Sequence, residues 1–238
     1  MLLSSWWLLF GVAGMYVYDA VLLLYHNEVV FFERRDGTWS FSAGAEFELG
    51  GRHVYVPALL APQRALLRLR WSSLQTPPLA RPSPRGLRAW RIGVAASATP
   101  VMLLVVVFAA LPVVLLGSAF VLLGWMIVLY AAIVFAVSRV WRLRNVTGLG
   151  GKECASIASD ALLCAPYALD LVRKQGLRVA DRFDLVSTAH RLLDASERAR
   201  LADTIRAKLH RQMDIEDTDS ERHAQLTTYL HQIEGALA

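Results

Sequence analysis

Charged residues are missing from two long stretches of this chain of 238 residues. Between Leu2 and Tyr25 the single formally charged residue is Asp19, and the stretch from Ile92 to Ser138 contains none. An uncharged run as long as the second stretch argues against the core helix of a soluble protein. Crossing the hydrocarbon layer of a membrane takes about 20 apolar residues. The sequence therefore predicts one transmembrane helix in the first stretch and a hairpin of two transmembrane helices in the second.

Lysine and arginine are absent from residues 1–10, and no small-residue cleavage site follows the first apolar run. A cleaved secretory signal peptide needs both a basic start and such a site. The two absences exclude a signal peptide as the interpretation of this segment. Residues 1–26 are therefore predicted to form a retained anchor helix.

Cysteine is rare, since the chain contains only Cys154 and Cys164. Their spacing lacks the Cys-x-x-Cys pattern of a redox pair, and a zinc site needs further ligands at defined offsets. Both residues fall in a region predicted to be cytoplasmic, where thiols stay reduced. We interpret them as small core residues, and we predict neither a disulfide framework nor a metal site.

Arginine, by contrast, is concentrated next to the uncharged stretches. Cytoplasmic loops carry the excess of Lys and Arg, so this distribution places both polar regions in the cytoplasm and the N-terminus outside. The arginines predicted to contact anionic lipid headgroups are Arg85, Arg88, Arg91, Arg139, Arg142 and Arg144. A basic residue near an anionic leaflet is worth about 1 kcal/mol. The net charge of +5 is therefore assigned to the membrane surface and not to nucleic acid, because no nucleic-acid fold signature accompanies it.

Residues 27–75 alternate apolar and polar side chains between turn signals, which predicts a small antiparallel β-meander. Asp36-Gly37 indicates a type I′ hairpin turn, and Gly50-Gly51 marks a second hairpin. Residues 63–71 are ambiguous between helix and strand, and we favour a fifth strand. Residues 76–91 are rich in proline and arginine, and they predict an extended basic linker that returns to the membrane.

The remaining segments follow from similar signals. The hairpin over residues 92–138 is predicted to turn near Gly117 and Ser118. Residues 139–152 form a basic juxtamembrane segment with a glycine hinge. Residues 153–238 show helical periodicity with capping boxes at Asp194 to Glu197 and Thr218 to Glu221, and they predict a cytoplasmic bundle of four amphipathic helices.

Two patterns in the sequence resemble a phosphate-binding loop and a metal site only superficially. The segment 146–153 is glycine-rich before Lys152, but a phosphate-binding loop needs glycine at the position of Val146 and Ser or Thr at that of Glu153. Four histidines and several acids share the tail, yet no two of the histidines are three or four residues apart, as ligands on one helix face would be. We predict no cofactor and no metal.

Asp19 is the candidate functional residue of the predicted spans. An ionisable side chain inside a membrane is costly and usually faces a partner or a wet cavity. The candidate partners are Tyr16, Ser97, Thr99, Trp125, Tyr130 and another subunit. Asp19 therefore either lines an ion or proton path or, as we favour, fixes the packing of its helix.

The sequence thus predicts a membrane α-helical protein with three transmembrane helices, its N-terminus outside and its C-terminus inside. A small cytoplasmic antiparallel β-meander and a C-terminal cytoplasmic helical bundle complete the fold. In the absence of a catalytic motif, the expected role is a non-catalytic adapter or accessory subunit in a bacterial-type inner membrane, with other membrane subunits or copies of itself as partners. The alternatives are a homo-oligomeric channel or transport component that uses Asp19, and a membrane-bound enzyme with an unrecognised site.

Overall fold

The structure is a computed structural model that describes residues 2–71, 84–115, 119–147, 149–180, 183–216 and 220–237. It is mostly helical, with a small antiparallel β-sheet region and one candidate apolar helix. The chain divides into two units. Unit 1 contains Met1–Leu22, Val56–Ala65 and Arg85–Val179, and unit 2 contains Leu23–Tyr55, Leu66–Pro84 and Ala180–Ala238.

Unit 1 is built from helices. They are α1 (Leu2–Ala20), α2 (Pro84–Leu115), α3 (Ala119–Arg142), α4 (Arg144–Thr147), α5 (Gly151–Leu163), a 3-10 helix (Ala165–Asp170) and α6 (Leu171–Ala180). Buried residues in α2 and α3 recur at spacings of four and three, which places them on one face of each helix. They are Val94, Ala98, Val101 and Val105 in α2, and Leu129, Ile133, Ala136 and Val140 in α3.

Among the described residues, one helix is long and apolar enough to cross a membrane by length and composition. It covers Leu123–Arg142, and 22% of its 18-residue apolar stretch is buried within the fold. Within α2, residues Ile92–Val107 form a shorter apolar stretch. The prediction of three spans is therefore not supported. In α1 and α2 many side chains, including those of residues 108–115, lie outside the described part of the structure.

Several sequence predictions lie outside the described residues. They are the hairpin turn at 116–118, the first half of the linker over 76–91, the hinge residue Gly148 and the first residues of the Thr218 capping box. The second half of that linker, residues 84–91, is helical and not extended, because α2 begins at Pro84. The last helix nevertheless has a side-chain cap within the described part, because Ser220 Oγ accepts a hydrogen bond from the His223 N–H at 3.1 Å.

Unit 2 contains two three-stranded sheets. The strands are β1 (Leu22–Leu24), β2 (Glu28–Glu33), β3 (Trp39–Ser42), β4 (Glu48–Leu49), β5 (Arg52–Tyr55) and β6 (Leu66–Arg70). Their orders are β3-β2-β6 and β1-β5-β4. The favoured strand over 63–71 is present as β6, antiparallel to β2, but the strands do not form one meander. The prediction missed β1 because its leucines continue the apolar run of α1 and were assigned to the first span.

Both predicted hairpins are present, but one turn differs in type. Gly50 and Gly51 both have positive φ, 59° and 73°, and join β4 to β5 through a two-residue loop as a type I′ turn requires. At the other hairpin only Gly37 has positive φ, and Arg34 N–H bonds to Thr38 O at 2.8 Å. The loop is therefore three residues long with a glycine bulge, because Asp36 keeps a negative φ.

Three helices complete unit 2: α7 (Leu185–Leu192), α8 (Ala195–Met213) and α9 (Glu221–Leu237). The predicted cap of α8 is confirmed, since Asp194 accepts a hydrogen bond from the Glu197 N–H. Its predicted apolar stripe is buried at Leu201, Ala202, Ile205 and Leu209. The sequence predicted one bundle over residues 153–238, whereas α5, the 3-10 helix and α6 belong to unit 1. Periodicity predicts each helix but not the neighbour on which it packs.

Candidate functional site

Asp19 lies near the end of α1 and forms an ion pair with Lys174 of α6. Their Oδ2 and Nζ atoms are 3.1 Å apart, and the two side chains are 19% and 16% exposed. The Lys174 ammonium also lies 4.2 Å from the centroid of the Tyr167 ring, a cation–π distance. Lys174 was not among the partners proposed from the sequence, because that search was restricted to the predicted spans and to other subunits.

A second ion pair lies next to the first in the chain. Arg173 Nη1 donates to Asp170 Oδ1 at 2.7 Å, and both side chains are almost fully buried. Arg173 Nη2 also donates to Ala58 O, and the Tyr16 hydroxyl donates to Leu59 O, both at 2.5 Å. We call Tyr16, Asp19, Asp170, Arg173 and Lys174 the charged junction, because they connect α1, the 56–65 segment, the 3-10 helix and α6.

Asp170 is the residue of the junction whose ionisation is most perturbed. Burial raises its pKa to about 6, the nearby Asp19 carboxylate adds to the rise, and the Arg173 guanidinium opposes it. Its Oδ2 atom is buried without a hydrogen-bond partner. The junction thus contains two carboxylates and two cations whose charges balance, which suits a structural connection more than a binding site.

We expect unit 1 to lose stability as the pH rises from about 4 to about 7. The pKa of Asp170 is about 6 in the fold and near 3.9 when unfolded. When folding raises the pKa of an acid, the resulting stabilisation is complete below the pKa of the unfolded state. It is lost as the pH rises through the pKa of the folded state. Thermal unfolding in detergent at a series of pH values tests this. Asp170→Asn should flatten the profile and Asp160→Asn should not, and an unchanged slope in Asp170→Asn would contradict the assignment.

The arginines predicted to meet lipid headgroups flank α2 and α3. Arg139 is half-buried and Arg142 exposed at the end of α3, and the Arg144 guanidinium lies 4.9 Å from the Trp141 ring centroid. Arg85, Arg88 and Arg91 lie in the first turns of α2, but their side chains fall outside the described part of the structure. Their role at the membrane surface stays a prediction.

The glycine-rich segment 146–153 contains the start of a helix. Helix α5 starts at Gly151, and Glu153 Oε2 accepts a hydrogen bond from the Gly150 N–H at 2.7 Å. Cys154 is buried and Cys164 is partly exposed, and both are free thiols. Among the described residues, no three His, Cys, Asp or Glu side chains are grouped so that they could hold a metal ion.

Unit 2 contains a pocket of 490 Å³ that the sequence did not predict. It lies between the β1–β2 loop, the residue after β6, the end of α8 and the start of α9. Its lining includes His26, Trp71, Leu209, Glu221, Arg222 and Leu226. We call this cavity the α9 pocket. No single segment supplies more than half of its wall, so no sequence motif could have revealed it.

Cationic side chains lie at and near the α9 pocket, with Arg222 in its lining and Lys208 close to Trp71. Burial lowers the pKa of His26, and the charges of Lys208 and Arg222 lower it further, while Glu28 opposes them. Burial, followed by the charge of Arg211, lowers the pKa of Lys208 to about 8, while Glu48 opposes it. Both bases are thus held towards their neutral forms, first by burial and then by neighbouring cations.

Comparisons of the chain with protein-family models, with curated proteins and with solved structures found no match.

Proposed function

We propose that the protein is a non-catalytic adapter or accessory subunit of a bacterial-type inner-membrane complex. In this proposal α1, α2 and α3 are three membrane spans, with the N-terminus outside and the polar regions in the cytoplasm. Unit 1 is the anchor, and unit 2 docks other subunits of the complex or further copies of the chain.

The observation that carries the proposal is the apolar surface of unit 1. Large apolar side chains are exposed on all three helices, and in α2 and α3 they lie on faces that the buried stripes leave uncovered. They include Trp7 and Phe10 on α1, Leu103 and Val106 on α2, and Phe120, Ile127 and Phe135 on α3. The core helix of a soluble protein buries such side chains, whereas a lipid-facing helix exposes them. This surface suits a bilayer or further membrane helices.

Unit 2 offers a surface that suits a docking role. Phe47 and Leu49 are exposed at the hairpin of β4, which is the edge strand of its sheet. Phe47 immediately precedes β4 and Leu49 ends it, so both apolar side chains belong to the same arm of the hairpin. An edge strand also presents unpaired backbone groups to which another chain can bond. This apolar edge is the best candidate in unit 2 for contact with another subunit.

The channel alternative loses its main support. It depended on Asp19 as an ionisable group with no Lys or Arg in the predicted spans to pair with it, and the Lys174 ammonium lies 3.1 Å away. A partly buried carboxylate that already has a cationic partner favours packing over conduction. An enzyme with dispersed residues has no specific support in the charged junction, because its acids and bases pair with each other.

The test is gentle detergent extraction from native membranes, followed by mass measurement and identification of every co-purifying polypeptide. We expect a defined set of partners. A double Phe47→Ser, Leu49→Ser variant should stay in the membrane and lose at least about ten-fold of the partner, since such anchors dominate binding energy. Ile215→Ser is the control, because Ile215 is an apolar residue of unit 2 that is even more exposed, at 82%.

Three outcomes would count against the proposal. Extraction of a lone monomer would contradict the adapter role, and release of the wild-type chain by alkaline carbonate would contradict the membrane anchor. A ring of identical copies with ion flux that depends on Asp19 would favour the channel instead.

A further inference from the structure

Two connecting segments of unit 1 are uncharged, although both expose apolar side chains. Residues 56–63 follow β5, and residues 161–169 run from the end of α5 into the 3-10 helix. Neither range contains Asp, Glu, Lys or Arg. Connections that face water are ordinarily polar. Two uncharged connections in one unit therefore indicate a surface that faces something other than bulk water.

Each of these segments exposes a leucine almost completely. Leu60 is 94% exposed within a turn. Leu163 is 85% exposed at the end of α5, beside the exposed Leu162. Tyr18, near the end of α1, is 82% exposed. We call Tyr18, Leu60, Leu162 and Leu163 the apolar collar.

Hydrogen bonds hold the first segment against the end of α1. The Tyr16 hydroxyl donates to Leu59 O, and Arg173 Nη2 donates to Ala58 O. Ala58 O also accepts the backbone hydrogen bond that closes the turn around Leu60. Leu60 is therefore presented in a fixed position beside the proposed anchor helix.

The second segment is held at the same end of α1. The Tyr167 N–H donates to Cys164 O at 2.9 Å, one residue after Leu163. The centroid of the Tyr167 ring lies 4.2 Å from the Lys174 ammonium, which is paired with Asp19 of α1. The 3-10 helix also packs on both α1 and α3. Both exposed leucines thus lie near the end of the first proposed span.

Helix α5 changes from polar to apolar along its length. Its first turn carries Lys152 and Glu153, whereas its last two residues are Leu162 and Leu163. Asp160, its last ionisable residue, is half-buried. This order suits a helix whose end reaches a bilayer, because ionisable side chains are costly there and apolar ones are not.

We propose that the apolar collar enters the boundary between the headgroups and the acyl chains of the cytoplasmic leaflet, where lipid covers Leu60 and Leu163. The collar continues the exposed surface of α1, on which Met15 and Val17 are also exposed, and tyrosines such as Tyr18 are enriched at this depth. The inference rests on the membrane anchor proposed above. It adds lipid contact by two connecting segments outside the spans.

The test places single nitroxide labels on the full chain in vesicles of phosphatidylcholine and phosphatidylglycerol. Cys164→Ser removes the partly exposed native thiol, while Cys154 is buried and stays. This background chain, without an added cysteine, should take up no label. Collision rates with oxygen, which dissolves in lipid, and with a water-soluble nickel complex then give the depth of each label.

The labelled variants are Leu60→Cys and Leu163→Cys, with Leu103→Cys and Ile215→Cys for comparison. Leu103 is exposed on α2 within a proposed span, and Ile215 of unit 2 is 82% exposed, which matches Leu163. We expect the labels at Leu60 and Leu163 to lie about 5–10 Å into the boundary region. The label at Leu103 should lie deeper, and the label at Ile215 should lie in water.

The comparison positions separate failure of the collar from failure of the anchor. If the nickel complex reaches Leu60 or Leu163 as readily as Ile215 while Leu103 lies in lipid, the collar is overturned and the anchor stands. A label at Leu103 that lies in water would overturn the anchor and the collar with it. Labels at Leu60 and Leu163 that are shielded from both reagents, with spin–spin broadening between chains, would show that a second copy covers the collar instead of lipid.

Discussion

Replacing Glu28 by glutamine is expected to destabilise unit 2 by about 3–5 kcal/mol, the range for breaking a buried ion pair. The Glu28 side chain is completely buried at the start of β2. Its Oε1 accepts a hydrogen bond from Arg70 Nε at 2.5 Å, and its Oε2 accepts one from Arg68 Nε at 2.8 Å. The Tyr25 N–H donates to Oε2 at 2.9 Å. Glutamine would place an NH₂ group against donors and leave two arginines without their acid.

The same residue adds a pH dependence of opposite sign to that of Asp170. Burial alone would raise the pKa of Glu28, but the hydrogen bonds from Arg68 and the Tyr25 N–H outweigh it and hold the pKa below its usual value. When folding lowers the pKa of an acid, the resulting stabilisation is present above the pKa of the unfolded state, near pH 4. It is lost as the pH falls through the pKa of the folded state. Unit 2 should therefore weaken in acid, where Asp170 strengthens unit 1.

Hydrogen exchange of the full-length protein measures this effect locally, because β2 and β6 pair along residues Glu28 to Phe32. In Glu28→Gln the amides of both strands should lose protection by the equivalent of about 3–5 kcal/mol. Glu46→Gln, an exposed position in the same unit, should change protection by less than about 0.5 kcal/mol. Equal protection in the two variants would show that the arginines find other partners.

Local signals in the sequence predicted local structure well. The Gly50-Gly51 turn, the Asp194 cap and the buried stripe of α8 were all predicted, because each depends on residues close together in the chain. Where a local signal had two outcomes, the prediction was less reliable. The Asp36-Gly37 dipeptide gave a hairpin with a longer loop, since positive φ is needed at one residue and not at two.

Contacts between distant segments were beyond sequence reasoning. Glu197 was predicted as the fourth residue of a capping box, yet its carboxylate is buried and accepts hydrogen bonds from Arg34 and Ser40, both at 2.9 Å. Those residues belong to the β2–β3 hairpin, far from Glu197 in the chain. The Lys174 partner of Asp19 and the walls of the α9 pocket were missed for the same reason.

The Asp19–Lys174 pair decides between the two interpretations of Asp19, and a double-mutant cycle measures it. We expect Asp19→Asn and Lys174→Gln each to destabilise unit 1, because each leaves one partly buried charge without its partner. The double variant should be more stable than the sum of the single changes predicts, with a coupling energy of about 1–3 kcal/mol. Thermal or denaturant unfolding in detergent provides the four values.

Ion flux in vesicles separates structure from conduction in the same four proteins. If Asp19 fixes the packing of α1 on α6, the double variant should regain the assembly of the wild type, and flux should be absent throughout. If Asp19 lines a path, Asp19→Asn should alter flux whether or not Lys174 is changed, since the lost carboxylate is then the ion's own ligand. Zero coupling energy together with altered ion flux would therefore favour the channel interpretation over the packing interpretation. Coupling without flux would leave Asp19 as the residue that joins the end of the anchor helix to α6.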